Sequence, residues 1–147
     1  ISANDEYAFR WACANGHINV AKWLLEIKPN INISVDDEWA FRYICENGHL
    51  AIGKWLLEIK PDINISAENE YSFRWACEKK HLKVAKWLLK IKPDINISAK
   101  NDHVFKYVCC YSYLETSKWL AHYIPYYGVK CLRTISNIKC SGLFGLI

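Results

Sequence analysis

The sequence contains no methionine and no long apolar run. A helix that spans a bilayer needs about 20 consecutive apolar residues, and no stretch of this chain approaches that length, so the sequence predicts no membrane-spanning helix. Because methionine is missing and Ile1 begins in the middle of a phrase that recurs later, we expect the chain to be a piece of a longer protein. The absence of a targeting signal therefore excludes no compartment.

The sequence also lacks the patterns that are typical of catalytic sites. It has no Gly-rich loop for phosphate and no nucleophile, base and acid in a familiar arrangement. The adjacent carboxylates Asp36, Asp37 and Glu38 are explained as the cap and first turn of a helix, where acidic groups favour the positive end of the helix dipole. We therefore expect no enzyme, no cofactor and no small-molecule substrate.

A strong net charge is missing as well. The formal charge is +4 and the two signs are interleaved, so the total does not by itself indicate a nucleic-acid partner. The seven cysteines are not spaced like a compact disulfide framework, and four of them recur at one helical phase. This pattern favours a reducing compartment, the cytoplasm, with the nucleus left open.

What the sequence does have is a repeat of 32 residues, which is the step from Ile1-Ser2 to Ile33-Ser34. The match runs through each unit and includes one cysteine and one proline per repeat. Two of the phase-matched sets are Phe9, Phe41, Phe73 and Phe105, and Trp23, Trp55, Trp87 and Trp119.

Each unit begins with a short helix, called helix A. Phe9, Ala12 and Cys13 fall at i, i+3 and i+4 and line one face of it. Its expected N-caps are Asp5, Asp37, Asn69 and Asn101. Gly16 and Gly48 end it, because glycine enters the left-handed conformation of a helix C-terminus without a clash. Lys80 and Ser112 replace this glycine later, and each costs on the order of 1 kcal/mol if the backbone is the same there.

A second helix, helix B, is predicted from about Ile18 to Lys28 and stops before Pro29. Each unit is therefore helix, turn, helix and loop. One such pair cannot bury its apolar faces alone, so stacking against neighbouring pairs must close the core. The predicted fold is an all-α solenoid of four helix-turn-helix units.

These units resemble ankyrin repeats. Residues 12–17, Ala-Cys-Ala-Asn-Gly-His, resemble the ankyrin phrase Ala-Ala-x-x-Gly-His, and residues 20–25, Val-Ala-Lys-Trp-Leu-Leu, resemble its Val-Val-x-Leu-Leu-Leu. The sequence of these repeats is similar to the sequences of the ankyrin families of amoebal giant viruses. The resemblance covers about residues 1–125 and implies repeats at 1–32, 33–64 and 65–96 and a divergent repeat at 97–125. Residues 126–147 are then either a cap for the last repeat or a frayed tail.

The chain also departs from the ankyrin pattern. The period is 32 where the family has about 33 residues, which shortens the loop before helix A. The family's Thr-Pro-Leu-His opening is replaced by Tyr-Ala-Phe-Arg at residues 7–10. As a substitute we expect ion pairs four residues apart, each worth about 0.3 to 0.5 kcal/mol if exposed. These are Glu6 with Arg10, Glu38 with Arg42, Glu70 with Arg74, and Asp102 with Lys106.

Two recurring patterns have both a functional and a structural interpretation. Cys13 and His17 lie four apart, as metal ligands on a helix do, and the spacing recurs at Cys45 and Cys77. No unit offers four converging ligands, so a buried cysteine is favoured and no metal site is predicted. The tryptophans suggest a stacking platform for single-stranded nucleic acid, but packing beside the leucines of helix B explains them better. A nucleic-acid partner is therefore disfavoured.

The recurring Asn-Ile-Ser triplets at Asn32, Asn64 and Asn96 match the glycosylation pattern. In a cytosolic protein they would not meet the transferase. The asparagine is better explained as a side chain that stabilises its loop.

Eight of the 15 acidic residues lie in the loops before helix A, whereas lysines gather on helix B. The resemblance implies that the loop tips and the exposed side of helix A contact the partner. The expected contact residues are Asp5, Glu6, Ala14, Asn15, Asp36, Asp37, Glu38, Glu46, Asn47, Glu68, Glu70, Glu78, Lys79 and Asp102.

The sequence therefore predicts a protein-interaction module that binds a protein with a basic surface in a salt-dependent way. If the chain is viral, the partner is a host protein and the site of action is the host cytoplasm. The alternatives are the substrate-recognition part of a ubiquitin-ligase-type assembly and, less favoured, a nucleic-acid-binding solenoid. The structural explanation of the acidic residues before helix A is an edge that is solvated and binds no partner.

Overall fold

The computed structural model describes residues 3–110 and 113–123, and within these ranges the chain forms eight α-helices and no strand. Their bounds are α1 Ala3–Ala14, α2 Ile18–Ile27, α3 Val35–Glu46, α4 Leu50–Ile59, α5 Ala67–Glu78, α6 Leu82–Ile91, α7 Ala99–Cys110 and α8 Leu114–Tyr123. None of the helices in the described part is long and apolar enough to cross a membrane. The expected cap or tail at 126–147 lies outside the described residues.

The described helices fall into two compact units, α1 to α6 before residue 97 and α7 with α8 after it. In the first unit the A helices α1, α3 and α5 pack side by side in one row, and each packs on its own B helix, α2, α4 or α6. In the second unit α7 packs on α8. The predicted all-α repeat fold is confirmed, and helix B ends within one residue of the predicted position.

The core of the first unit is built from the residues that share a phase in the sequence. Phe9 and Phe41 are fully buried. The ring of Trp55 on α4 lies 6.5 Å from that of Phe9 on α1, and the ring of Trp87 on α6 lies 6.1 Å from that of Phe41 on α3. Trp55 and Trp87 therefore pack against the preceding repeat, as the sequence predicts. The same expectation for Trp23 is wrong, because its side chain is 56% exposed. Such aromatic pairs contribute about 0.5 to 1.5 kcal/mol beyond their buried area.

The start of helix A differs from the prediction. Asp36, Asp37 and Glu38 all have positive φ angles of 53°, 53° and 61°, and residues 68–70 and 100–102 repeat this left-handed turn. A left-handed residue costs roughly 1 to 2 kcal/mol unless it is glycine, and less for Asp or Asn, whose short side chains bond locally. The expectation that Asp37, Asn69 and Asn101 are N-caps is therefore wrong. It is also wrong for Asp5, which lies inside α1.

An arginine holds the left-handed turn in place. The Arg42 guanidinium donates from Nε to the Asp37 carbonyl at 2.8 Å and from a terminal nitrogen to the Asp36 carbonyl at 2.9 Å. Arg74 donates in the same way to the carbonyls of residues 68 and 69, at 3.2 and 2.8 Å. Two charge-assisted bonds from a planar fork offset part of the cost of the turn.

The glutamate of the same turn caps the next loop. Glu38 Oε1 accepts a hydrogen bond from the backbone N–H of Asn64 at 3.2 Å, and Glu70 Oε1 accepts one from Asn96 at 3.2 Å. The ion pairs expected between these glutamates and the arginines four residues later are therefore wrong. The arginine bonds to the backbone behind it, and the carboxylate bonds to the loop that follows.

The asparagines of the loops act as predicted. Asn32 Oδ1 accepts a hydrogen bond from the N–H of Ser34 at 3.1 Å, and Asn64 Oδ1 accepts one from Ser66 at 3.2 Å. A side chain that bonds the backbone two residues later closes a turn in place of a backbone carbonyl. These asparagines are therefore structural.

Glycine is favoured between helices A and B in the first two repeats for two reasons. Gly16 and Gly48 have φ angles of 84° and 80°. A side chain at Gly48 would also meet the ring of the next repeat's histidine, because its Cβ would lie 2.5 Å from His81 Nδ1. Lys80 has φ 65° at the corresponding position, so the backbone is the same there and the predicted cost of the replacement applies.

We expect Gly48→Ala to lower the free energy of unfolding by about 1 to 3 kcal/mol, because it adds both left-handed strain and a clash. Lys80→Gly should raise it by up to about 1 kcal/mol, because the left-handed strain is removed. Lys79→Gly is the matched control, since its φ of −86° gives glycine no advantage. Denaturant titration measures all three variants, and a Lys80→Gly protein no more stable than Lys79→Gly would contradict the account.

Candidate functional site

Four of the residues expected on the partner-binding surface are buried: Ala14, Glu38, Glu70 and Glu78. Glu38 and Glu70 are buried because their carboxylates cap the following loops. Ala14 lies where the next repeat attaches, and the Asn47 side chain donates to its carbonyl at 2.8 Å. The expectation that these four side chains are exposed is wrong.

The other expected residues lie at the surface or partly so. Asn15, Asp37, Asn47, Glu68 and Lys79 are exposed. Asp36 is exposed and forms an ion pair with Arg10 of the preceding repeat. Asp5, Glu6, Glu46 and Asp102 are partly exposed, and Asp5 pairs with Lys28. The acidic edge therefore exists at the starts of α3 and α5, although fewer carboxylates face solvent there than the sequence suggested.

The most prominent surface feature is a row of aromatic rings on α1, α3 and α5, which the sequence analysis missed. Tyr7 is 55% exposed and Trp11 is 44% exposed, and the corresponding rings on α3 and α5 are half-buried. We call this row the aromatic ladder. Its members are Tyr7, Trp11, Trp39, Tyr43, Tyr71 and Trp75.

The rings of the ladder contact one another both within and between helices. The two ring centroids of one helix are 5.7 Å apart on α1, 4.0 Å on α3, where the rings stack, and 5.6 Å on α5. Between helices, Trp11 lies 5.8 Å from Trp39, and Tyr43 lies 6.0 Å from Tyr71. The ladder is therefore continuous across the first three repeats.

Cations lie over the faces of the rings. The Arg10 guanidinium is 5.4 Å from the Trp39 ring, and Arg42 is 5.0 Å from Tyr71. The Lys79 ammonium lies 5.4 Å from Trp75. Each such contact contributes about 0.5 to 1 kcal/mol at an exposed site. Because Arg42 is also fixed by two backbone carbonyls, it holds the ring beside it in one orientation.

Tyr71 also links two repeats by a hydrogen bond. Its hydroxyl donates to Glu46 Oε2 at 2.6 Å. Burial and the neighbouring Glu46 carboxylate raise the pKa of Tyr71 above its ordinary value of 10. The hydroxyl therefore stays protonated near neutral pH and remains a donor.

The sequence does carry a signal for the ladder. An aromatic residue followed by a second one four positions later recurs every 32 residues, at Tyr7 and Trp11 and at their counterparts on α3 and α5. In the second unit, His103 stacks on Tyr107 on α7, at 6.2 Å. Sequence reasoning interpreted the tryptophans on helix B as core residues and missed the aromatic pairs four residues apart on helix A.

The cysteines are part of the core. Burial raises the pKa of the Cys13 thiol to about 12, and it raises the pKa of Cys45 and Cys77 as well. Zinc is bound by the thiolate, which burial disfavours. In residues 3–110 and 113–123, no three side chains of the metal-binding types come together.

His81 packs in the turn between two repeats, against Gly48. Burial and the charge of the neighbouring His49 lower the pKa of His81 below its ordinary value of 6.5. The same turn borders a surface cavity of about 510 Å³ whose rim carries Lys80, Lys83 and Lys86. This side of the first unit is basic, in contrast to the acidic starts of α3 and α5.

Comparison with known proteins agrees with the geometry. Residues 2–69 match the sequence family described as ankyrin repeats in three copies. The chain is also similar to the solved structure of an ankyrin repeat family protein from Legionella pneumophila, with 30% identity and a TM-score of 0.65. The match covers 71% of this chain and 32% of that one, so the chain spans about a third of that protein. No curated protein matches the chain.

We expect stability to fall as the pH is lowered from about 7.5 to about 5.5. The pKa of His81 is lower in the folded state than in the unfolded state, so protonation favours unfolding. The stabilisation is therefore complete above the ordinary pKa of 6.5 and is lost as the pH falls below it. His81→Gln should flatten this part of the profile of Tm against pH, whereas His122→Gln, at an exposed position, should not. Equal slopes in His81→Gln and the parent protein would disprove this role.

Proposed function

Because the chain folds as ankyrin repeats, we propose that it is a protein-interaction module whose partner binds on the exposed side of α1, α3 and α5. Ankyrin repeats are in general scaffolds for protein–protein interaction and not enzymes. The observation that carries the proposal is the aromatic ladder. Monomeric proteins keep large contiguous apolar patches off their surfaces, and tyrosine and tryptophan are enriched among the residues that dominate binding energy.

The partner surface is basic in this proposal. Asp37 and Glu68 are exposed beside the ladder, at the starts of α3 and α5. Such charges at the rim of an interface steer a partner of opposite charge and make its association depend on salt. Asn15, Asn47 and Lys79 are exposed directly after the C-terminal ends of α1, α3 and α5 and complete the contact surface.

The setting of the interaction is a further part of the proposal. The resemblance of the repeats to those of amoebal giant viruses supports a viral protein that acts on a host protein in the host cytoplasm. In this proposal the repeats at 1–32, 33–64 and 65–96 form the contact surface, 97–125 is a divergent fourth repeat, and no reaction is catalysed.

The charge variant Asp37→Asn with Glu68→Lys tests the surface. Asparagine suits the left-handed backbone at 37, and Lys100 already occupies the position that corresponds to Glu68. We expect the affinity for the captured partner to fall about fivefold to tenfold at low salt, and the salt dependence to weaken. The chain serves as bait in an extract of infected cells, and the affinity for the captured protein is then measured with pure components.

The matched control is Glu26→Gln with Glu58→Lys, which makes the same change of charge on exposed positions of helix B. It should bind the partner as the parent does. Equal affinity of the two double variants would rule out the acidic starts of α3 and α5 as the contact surface.

A further inference from the structure

We infer that the aromatic ladder is the binding surface for an extended, proline-rich peptide segment that carries basic residues. This inference rests on the proposed function and names the chemistry of the partner. It follows from three observations on the first unit: the exposed rings, the direct packing of the three A helices and the charges at the starts of α3 and α5.

The exposed rings are the first observation. Six aromatic rings follow one another across three helices, and those of Tyr7 and Trp11 are about half exposed. Proline-rich segments bind in grooves lined by aromatic rings, because the polyproline II helix is formed before binding and loses little entropy. A folded ligand would need a broad apolar face, whereas the ladder is a narrow row.

The direct packing of α1, α3 and α5 is the second observation. A polyproline II helix has three residues per turn and rises about 3.1 Å per residue, so one turn spans about 9 Å. Packed helices lie about 8 to 10 Å apart, and α1, α3 and α5 pack directly on one another. One turn of the peptide therefore matches one repeat. A proline at every third position would meet one pair of rings per helix, and about nine residues would cover the ladder.

The charges are the third observation. The arginines that lie over the rings are already bonded, since Arg42 donates to backbone carbonyls and Arg10 pairs with Asp36. Asp37 and Glu68 remain exposed at the edge of the ladder. Single-stranded nucleic acid would need free cations along its phosphates. The arrangement instead favours arginine or lysine in the peptide, placed between the prolines.

The aromatic ladder is also preorganised. The hydrogen bond from Tyr71 to Glu46 fixes the central ring between α3 and α5, and Arg42 lies 5.0 Å from the same ring. Rings held before binding lose little rotamer freedom when the peptide arrives. An exposed but mobile row of rings would gain much less from a rigid ligand.

The experiment uses the full chain and synthetic peptides in isothermal titration calorimetry. The test peptide repeats Pro-Ala-Arg three times. One control replaces each proline with glycine and keeps the charge, and another replaces each arginine with glutamate and keeps the prolines. We expect the test peptide to bind at least about tenfold more tightly than either control. The inference would be overturned if the glycine peptide bound as tightly as the test peptide, or if no peptide bound. Tighter binding of oligothymidine than of the test peptide would overturn it as well.

Two tryptophan variants locate the binding. Trp11→Ala removes a ring of the ladder that is 44% exposed, and Trp23→Ala removes a ring outside the ladder that is 56% exposed. We expect Trp11→Ala to weaken binding of the test peptide at least about tenfold and Trp23→Ala to leave it unchanged. Thermal melts of both variants serve as the control that the repeats still fold. Equal loss in the two variants would refute binding at the ladder.

The outcome also separates this inference from the proposed function. If a protein partner is captured and depends on Asp37 and Glu68, but no proline-rich peptide binds, the inference fails and the interaction module stands. If the captured partner ignores both the acidic residues and Trp11, the two fail together.

Discussion

The structure of the first unit depends on the packing of one repeat against the next. Phe9 and Phe41 are buried in the row of A helices, and the tryptophan of each following helix B lies against them. Because every unit presents the same apolar positions at the same phase, each contact can be repeated along the row. This regular row in turn places the exposed aromatic residues side by side and gives the ladder its spacing.

Much of the fold follows from the sequence because its strongest signals are local. The period, the helices and the loop asparagines each depend on residues close in the chain. The left-handed turn at 36–38 was missed because Asp and Asn suit both an N-cap and a positive φ. The roles of Arg42 and Glu38 were misjudged because the backbone groups that they bond become available only in that turn. Their spacing of four residues suggested an ion pair that the backbone bonds replace.

The candidate site was harder to predict than the fold. Acidic residues were assigned to the surface because charge usually marks exposure, yet Glu38 and Glu78 are buried. The rings of helix A were overlooked because aromatic residues are usually core residues. Whether a ring on helix A is exposed depends on which side of that helix packs against the B helices. The loop bonds and ring contacts that distinguish the two sides join residues more than 20 positions apart.

The central claim is that the rings of successive A helices form one continuous row. Proton–proton contacts measured by nuclear Overhauser spectroscopy test it most directly, because the centroids of Trp11 and Trp39 lie 5.8 Å apart and those of Tyr43 and Tyr71 lie 6.0 Å apart. Cross-peaks between the rings of both pairs are the predicted result. Cross-peaks confined to rings of the same helix, with none between Trp11 and Trp39 or between Tyr43 and Tyr71, would contradict the account.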